Sequence, residues 1–305
     1  MMEIKKLVLD DGYVMYYRKW KCEGVQKAIL HINHGMAEHS ARYNDFASYL
    51  NKKGITVYAQ DHMGHGMSGK DGLLGYFGKK DGWNRVVDQA IALSSYIVED
   101  NGDTPLFLFG HSMGSFIVRC IIEKDSSMYD GAIIMGTAAS SGIAGKIGKY
   151  IALKSIKKNG PEFIDKKLNK LSFGYYNKKF DKYGSSFQWL SRDAKSVAKY
   201  EDDPLCGFVC TNSFYRDLIE GIEEANNAEY IAKISKDLSL LFISGTDDPV
   251  GSYSKGVQKV YQLYKNAGIE DLSLKLVEDA RHELLNETNK IETYEYLLNW
   301  IQKRI

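Results

Sequence analysis

The chain has 305 residues, 44% hydrophobic and 26% charged, enough to bury a substantial core in one large domain or in a domain with an insertion. Its 40 basic and 39 acidic residues nearly cancel, so the overall balance points away from a nucleic-acid partner. No window approaches about 18 uninterrupted apolar residues, so no transmembrane helix is expected.

In chain order, "MMEIKKLVLDDGYVMYYRKW" alternates like a β-hairpin and lacks the apolar core and small-residue cleavage site of a secretory signal. The runs "KAILHIN" (27–33), "ITVYAQD" (55–61), "PLFLFG" (105–110) and "GAIIMG" (131–136) have the length and β-branched content of buried parallel strands. Between them, residues 40–53, 82–99 and 112–124 are spaced as helices, the second placing Val86, Val87, Ala90, Leu93, Ile97 and Val98 on one face. The alternation resumes with "LSLLFISG" (238–245), a helix near 252–267, "LSLKLVE" (272–278) and a last helix near 288–303. Strands and helices in this order predict a doubly wound α/β sheet.

The alternation stops between about 138 and 235, where the sequence is helix-rich and poor in strands. The expected division is therefore a core in two parts, 1–137 and 236–305, with a helical cap over 138–235. Ligands of open α/β sheets bind at the carboxyl ends of the strands, so an insertion there would act as a lid. Residues 146–182 hold eleven lysines against Glu162, Asp165 and Asp181. Such a stretch is either a solvated helical face or a basic surface for anionic headgroups and micelles, and the apolar spacing of Ile143, Ile147, Tyr150 and Ile151 fits the second. Cys22, Cys120, Cys206 and Cys210 are scattered, which suggests reduced thiols and a cytoplasmic location.

The chemistry centres on "GHSMG" (110–114), where Ser112 follows a buried strand and precedes a helix. A nucleophile elbow has this form, its turn so tight that the residues two before and two after the serine must be small. A serine needs a general base, itself oriented by an acid. Six of the seven histidines precede Ser112, and only His282, in "VEDARHELLNE", follows it. The loop after "LLFISG" supplies the acid: Asp248, directly before a proline and so held extended, or its neighbour Asp247. The backbone N–H of Met113 and that of Met36, in "HINHGMAEHSARY", are the expected oxyanion donors. Five histidines between 31 and 65 raise the thought of a metal, but "HINH" and "HMGH" read as strand-end turns, so no metal is expected.

These residues resemble the α/β-hydrolase superfamily, and within it the monoacylglycerol lipase, lysophospholipase and serine-aminopeptidase-like branch. The resemblance rests on "HGMAEHSARY" (34–43), "DHMGHGMSG" (61–69), "GHSMG", "GTDDPVG" (245–251) and "RHELLNE" (281–287). It implies a mostly parallel eight-stranded sheet with helices on both faces and a cap after strand 6. It also implies a Ser112–Asp248–His282 triad, no cofactor, and a lipid or other small ester as substrate. His34, Gly35, His111 and Trp189 are the substrate-contact candidates. Asp61, His62 and His65 belong to a structural turn. Phe163, Phe173, Tyr175, Tyr176, Phe187 and Trp189 offer an apolar lining for an acyl chain. A peptidase on the same triad would need an acidic group for the substrate amine, and a non-catalytic binding protein would be expected to lose a triad member. Oligomeric state has no signature in the sequence.

Overall fold

The computed structural model describes residues 2–69 and 72–305, without the side chains of 181–183; Met1 of the expected hairpin and the side chains of Asp181 and Lys182 in the basic stretch lie outside the described residues. Eight strands form one sheet: β1 (Met2–Val8), β2 (Val14–Trp20), β3 (Ala28–Asn33), β4 (Ile55–Gln60), β5 (Leu106–His111), β6 (Gly131–Met135), β7 (Ser239–Gly245) and β8 (Leu272–Val277). Their spatial order is β1-β2-β4-β3-β5-β6-β7-β8. β1 and β2 pair antiparallel with each other, β2 meets β4 antiparallel, and every other neighbour is parallel.

Period-2 alternation divides the central strands between two cores. Leu106 and Leu108 face one side, against α3 (Gly82–Asn101), α4 (Met113–Lys124) and α10 (Lys255–Asn266). Phe107 and Phe109 face the other, against α1 (Asn44–Asn51) and α11 (Lys290–Gln302). α2 (Gly66–Gly69) is a single turn after β4. The helix expected over 40–53 divides into a 3-10 turn at Ser40–Tyr43 and α1. Val98 departs from its expected place: it is 37% exposed, while Val86, Val87, Ala90, Leu93 and Ile97 are buried. At 3.6 residues per turn the stripe drifts, and adjacent Ile97 takes the core position.

Between β6 and β7 run α5 (Ile143–Asn159), α6 (Lys166–Phe173), α7 (Ala194–Asp202), α8 (Asn212–Ala225) and α9 (Ala228–Ile231). Among the described residues the only β pairing there is the isolated Ile164–Thr211 bridge. Buried Arg119 of α4 ties both ends of this segment to the sheet, bonding Thr137 Oγ1 and the Ala138 carbonyl at its start, and the Ala225 carbonyl and Asn226 Oδ1 near its end. No helix among the described residues is long and apolar enough to cross a membrane. Strand order reverses between β3 and β5, and the crevice of an open α/β sheet lies outside the carboxyl ends of such a pair.

Candidate active site

Ser112 stands at the β5–α4 junction with φ 53° and ψ −117°, a backbone conformation that is strained for a residue with a Cβ. Two glycines make that turn sterically feasible. A Cβ on Gly110 would lie 2.3 Å from the Gly114 carbonyl oxygen, and one on Gly114 would lie 2.0 Å from the Asn33 carbonyl oxygen. The turn is thus pressed against the end of β3, which also brings the loop after β3 up to the serine. A Cβ on Gly35 would come within 3.3 Å of the Ser112 Cβ. Among the described residues, no protein acceptor takes the N–H of Met36 or of Met113, which leaves both beside Ser112 as free donors.

His282 Nδ1 lies 3.0 Å from Asp248 Oδ2, and both side chains are buried. Asp248 is itself held: its Oδ1 accepts from the Val250 N–H at 2.8 Å, and its Oδ2 from Ser244 Oγ at 3.3 Å. Its neighbour Asp247 turns outward and pairs with Lys179 at 2.5 Å. The loops meet because Gly245 packs directly on the 280–281 backbone, where a Cβ would sit 2.0 Å from the Ala280 carbonyl oxygen. The other ring nitrogen, His282 Nε2, is buried and unpartnered, and no hydrogen bond joins it to Ser112 Oγ. Ser112 and His282 line one cavity, and hydrogen bonds of this kind often form only when substrate is bound.

The residues from 188 to 192 clamp the His282 loop from above. The N–H of His282 donates to the Trp189 carbonyl at 3.4 Å, that of Glu283 to the Leu190 carbonyl at 2.7 Å, and Arg281 donates to the carbonyls of Gln188 and Ser191. The Trp189 ring lies 5.1 Å from the His282 ring. Below, a buried ionic network joins this loop to the loop after β3. Arg42 binds Glu283 through two nitrogens at 2.6 and 2.7 Å and Glu38 at 2.5 Å. Glu38 Oε1 in turn accepts the Gly35 N–H at 2.6 Å and Tyr43 OH at 3.0 Å. Burial alone would raise the Glu38 pKa, but the Arg42 charge, helped by His111, holds it well below the usual carboxylate range.

His111 sits between the two loops, its Nδ1 at 3.1 Å from Glu38 Oε1 and its Nε2 at 3.3 Å from the His282 carbonyl. Both partners only accept, so both ring nitrogens donate when the ring is an imidazolium. Burial opposes that charge, but the Glu38 hydrogen bond and charge outweigh it and raise the His111 pKa.

The cavity measures about 930 Å³. Gly35, His111 and Trp189 line it, as do Met36, Met113, Phe173, Tyr176 and Phe187. Three expectations need correction. His34 does not reach the cavity: it is fully buried behind the loop, bonding the Gly35 carbonyl through Nδ1 and accepting the His62 N–H at Nε2, and burial lowers its pKa. Phe163 and Tyr175 point to solvent, 47% and 73% exposed. The sequence reading overlooked Phe116 and Phe208 in the wall, and the Arg42 network beneath it. The glutamate and arginine of "HGMAEHSARY" were the available signal for that network.

Asp61 accepts from Arg18, from the Ser40 N–H and hydroxyl, and from the Met67 N–H, and so joins β2, the 40–43 turn and α2. Burial lowers the pKa of His31 to about 4 and of His65 to about 3, which makes both neutral packing groups. The one set of described side chains with metal-ligand spacing is His39, Asp203 and Cys206, where His39 Nε2 already pairs with Asp203 at 2.8 Å.

Comparison with known proteins adds to this geometry. The family model described as "Serine aminopeptidase, S33" matches residues 24–289. The monoglyceride lipase of Mus musculus is 27% identical over 99% of this chain and 91% of its own length. The monoacylglycerol lipase of Mycolicibacterium smegmatis is 25% identical, over 95% and 93%. A thermostable carboxyl esterase from Bacillus coagulans, solved with glycerol, superimposes with a TM-score of 0.92 at 25% identity, covering 99% of this chain and 98% of that one.

Proposed function

The chain belongs to the serine aminopeptidase S33 family of the α/β-hydrolases, and on that premise we propose that it hydrolyses carboxylic esters of lipid type, monoacylglycerols or lysophospholipids, through an acyl-enzyme on Ser112. The observation that carries this reading is the buried Asp248–His282 hydrogen bond, whose histidine lines the same cavity as the strained serine. In this mechanism His282 Nε2 takes the Ser112 proton as Oγ attacks the ester carbonyl carbon. The N–H groups of Met36 and Met113 stabilise the oxyanion. The tetrahedral intermediate collapses, the C–O bond to the alcohol breaks, and His282 returns the proton to the leaving oxygen. A water then repeats the sequence on the acyl-enzyme and releases the acid. Asp248 holds the imidazole in the Nδ1–H tautomer and stabilises its charged form. The steps need no metal or organic cofactor.

The family description invites a peptidase reading, but an aminopeptidase needs a free carboxylate to hold the substrate amine. The described carboxylates that line the cavity, Glu38 and Glu283, are both engaged by Arg42. The segment from 138 to 235 is read as a lid, and its outer face as a transient contact with membranes or micelles. Ile143 and Tyr150 of α5 are 78% and 66% exposed among lysines, which supports that contact. Four unpaired cysteines suit a reducing, cytoplasmic setting.

A panel of p-nitrophenyl esters from C2 to C16, with monoolein and a peptide p-nitroanilide, tests the function, with Ser112→Ala as the blank. Ester hydrolysis that vanishes in Ser112→Ala is expected. Equal rates in the two proteins, or cleavage of the anilide alone, would overturn the reading.

A further inference from the structure

Resting on that ester-hydrolase reading, we propose that the cavity carries an anion subsite made by Lys170, Lys255 and Lys259, which selects esters whose alcohol bears a phosphate. Lys170 belongs to the last turn of α6, whereas Lys255 and Lys259 lie one turn apart on one face of α10, between β7 and β8 in the chain. All three line the cavity that holds Ser112 and His282. Each is exposed, and among the described residues no ion pair or side-chain hydrogen bond engages any of the three ammonium groups. Lys179, by contrast, is neutralised by Asp247.

The described carboxylates of the cavity wall are spent on Arg42, so the unpaired charges facing its interior are all positive. The start of α10 strengthens this field. Its first turn holds no acidic residue, the Ser254 side chain does not cap it, and the positive end of the helix dipole coincides with Lys255. The approach to it, Ser252, Tyr253 and Ser254, has positive φ at three consecutive residues other than glycine (52°, 54° and 74°). Ser252 lines the cavity along with Ser141 and Asn169, whose side chains offer neutral donors beside the ammonium groups. Lys255 and Lys259, one turn apart on α10, are like charges on one helix face, and a phosphate bound between them and Lys170 would offset that repulsion while its acyl ester reaches the serine.

The test uses substrates below their micelle concentration, 1-octanoylglycerol and 1-octanoylglycerol 3-phosphate. The ratio of their kcat/KM values is measured for the wild type and for the triple variant Lys170→Gln, Lys255→Gln, Lys259→Gln. Removing three partly solvated contacts is expected to lower the phosphate-to-neutral ratio by about tenfold, mainly through KM, and raised salt should lower the wild-type ratio alone. A second triple variant, Lys146→Gln, Lys154→Gln, Lys157→Gln on the exposed face of α5, removes equal charge away from the cavity. An equal fall in that variant would assign the effect to the general field and overturn the subsite, as would a ratio unchanged in the cavity variant. Inorganic phosphate is added in a further arm. Inhibition of 1-octanoylglycerol hydrolysis by phosphate, without hydrolysis of the phosphorylated ester, would make this a free-phosphate site and overturn the substrate assignment. Wild-type turnover of p-nitrophenyl butyrate separates these results from a failure of the ester-hydrolase reading itself.

Discussion

Changing Arg42 to methionine keeps most of the side-chain length, and its packing on the Tyr200 ring, while removing the charge that two buried carboxylates share. Glu38 and Glu283 then remain in the interior with their principal counter-charge gone. Breaking a buried ion pair from one side costs about 3–5 kcal/mol. For a chain of this size that corresponds to a fall in Tm on the order of 10 °C. The cost is pH-dependent, with a definite sign. The folded pKa of Glu38 lies below its ordinary value of 4.5, so its contribution is complete above that value and is lost as pH falls through the depressed one. In Arg42→Met burial dominates and the Glu38 pKa rises, so the gap between the two proteins is widest near neutral pH and closes as pH drops below about 4.5. Activity should fall as well. Glu38 holds the Gly35 N–H, and the next peptide supplies the proposed Met36 oxyanion donor, so a displacement of about 1 Å there costs roughly a hundredfold in kcat. Thermal melts at pH 7.5 and pH 4.5, with p-nitrophenyl butyrate kinetics at the higher pH, check both effects. A Tm within about 2 °C of wild type at pH 7.5, with kcat preserved, would refute the account of the network.

Asp248→Asn should lower kcat about 10³–10⁴-fold with little change in melting temperature, since it leaves the shape of the site and disturbs the His282 tautomer; stopped-flow acylation with p-nitrophenyl acetate measures it. The matching Asp247→Asn change, which breaks only the contact with Lys179, should retain most of the activity. Gly114→Ala brings a methyl to 2.0 Å from the Asn33 carbonyl and should destabilise the fold by about 3 kcal/mol, read from the urea midpoint. Glu123 is buried with its pKa raised to about 8 by burial, so its effect on stability worsens as pH rises from its ordinary value through the folded one. Glu123→Gln should therefore melt close to wild type at pH 5 and several degrees higher at pH 9, and a constant difference across that range would contradict the burial argument.

Much of the fold was legible because a parallel α/β sheet writes itself into short-range pattern. "KAILHIN", "ITVYAQD" and "PLFLFG" are apolar on both faces because helices cover both sides of β3, β4 and β5. The helix near 82–99 announced its buried stripe, and only its margin, at Val98, was misjudged. The helix-rich segment from 138 to 235 was less legible. Which of its aromatics turn inward depends on how α6 and the loops after it lie on the sheet, so Phe173 and Tyr176 reach the cavity while adjacent Tyr175 faces water. His34 misled for a related reason. Its place beside Gly35 puts its backbone at the site, yet its ring is drawn away to the His62 N–H.

Taken alone, the sequence determined the strand and helix order, the small residues around Ser112, and a choice of acid confined to Asp247 and Asp248. It could do so because steric rules for a tight turn and the periodicity of buried faces act over a few neighbouring residues. Only the tertiary structure decided which carboxylate meets His282, how Arg42 joins the loops at 35–38 and 282–283, and that Lys170 faces the same cavity as Lys255 and Lys259. Those relations set the charge and shape of the site, and they arise between residues brought together by packing rather than by spacing along the chain.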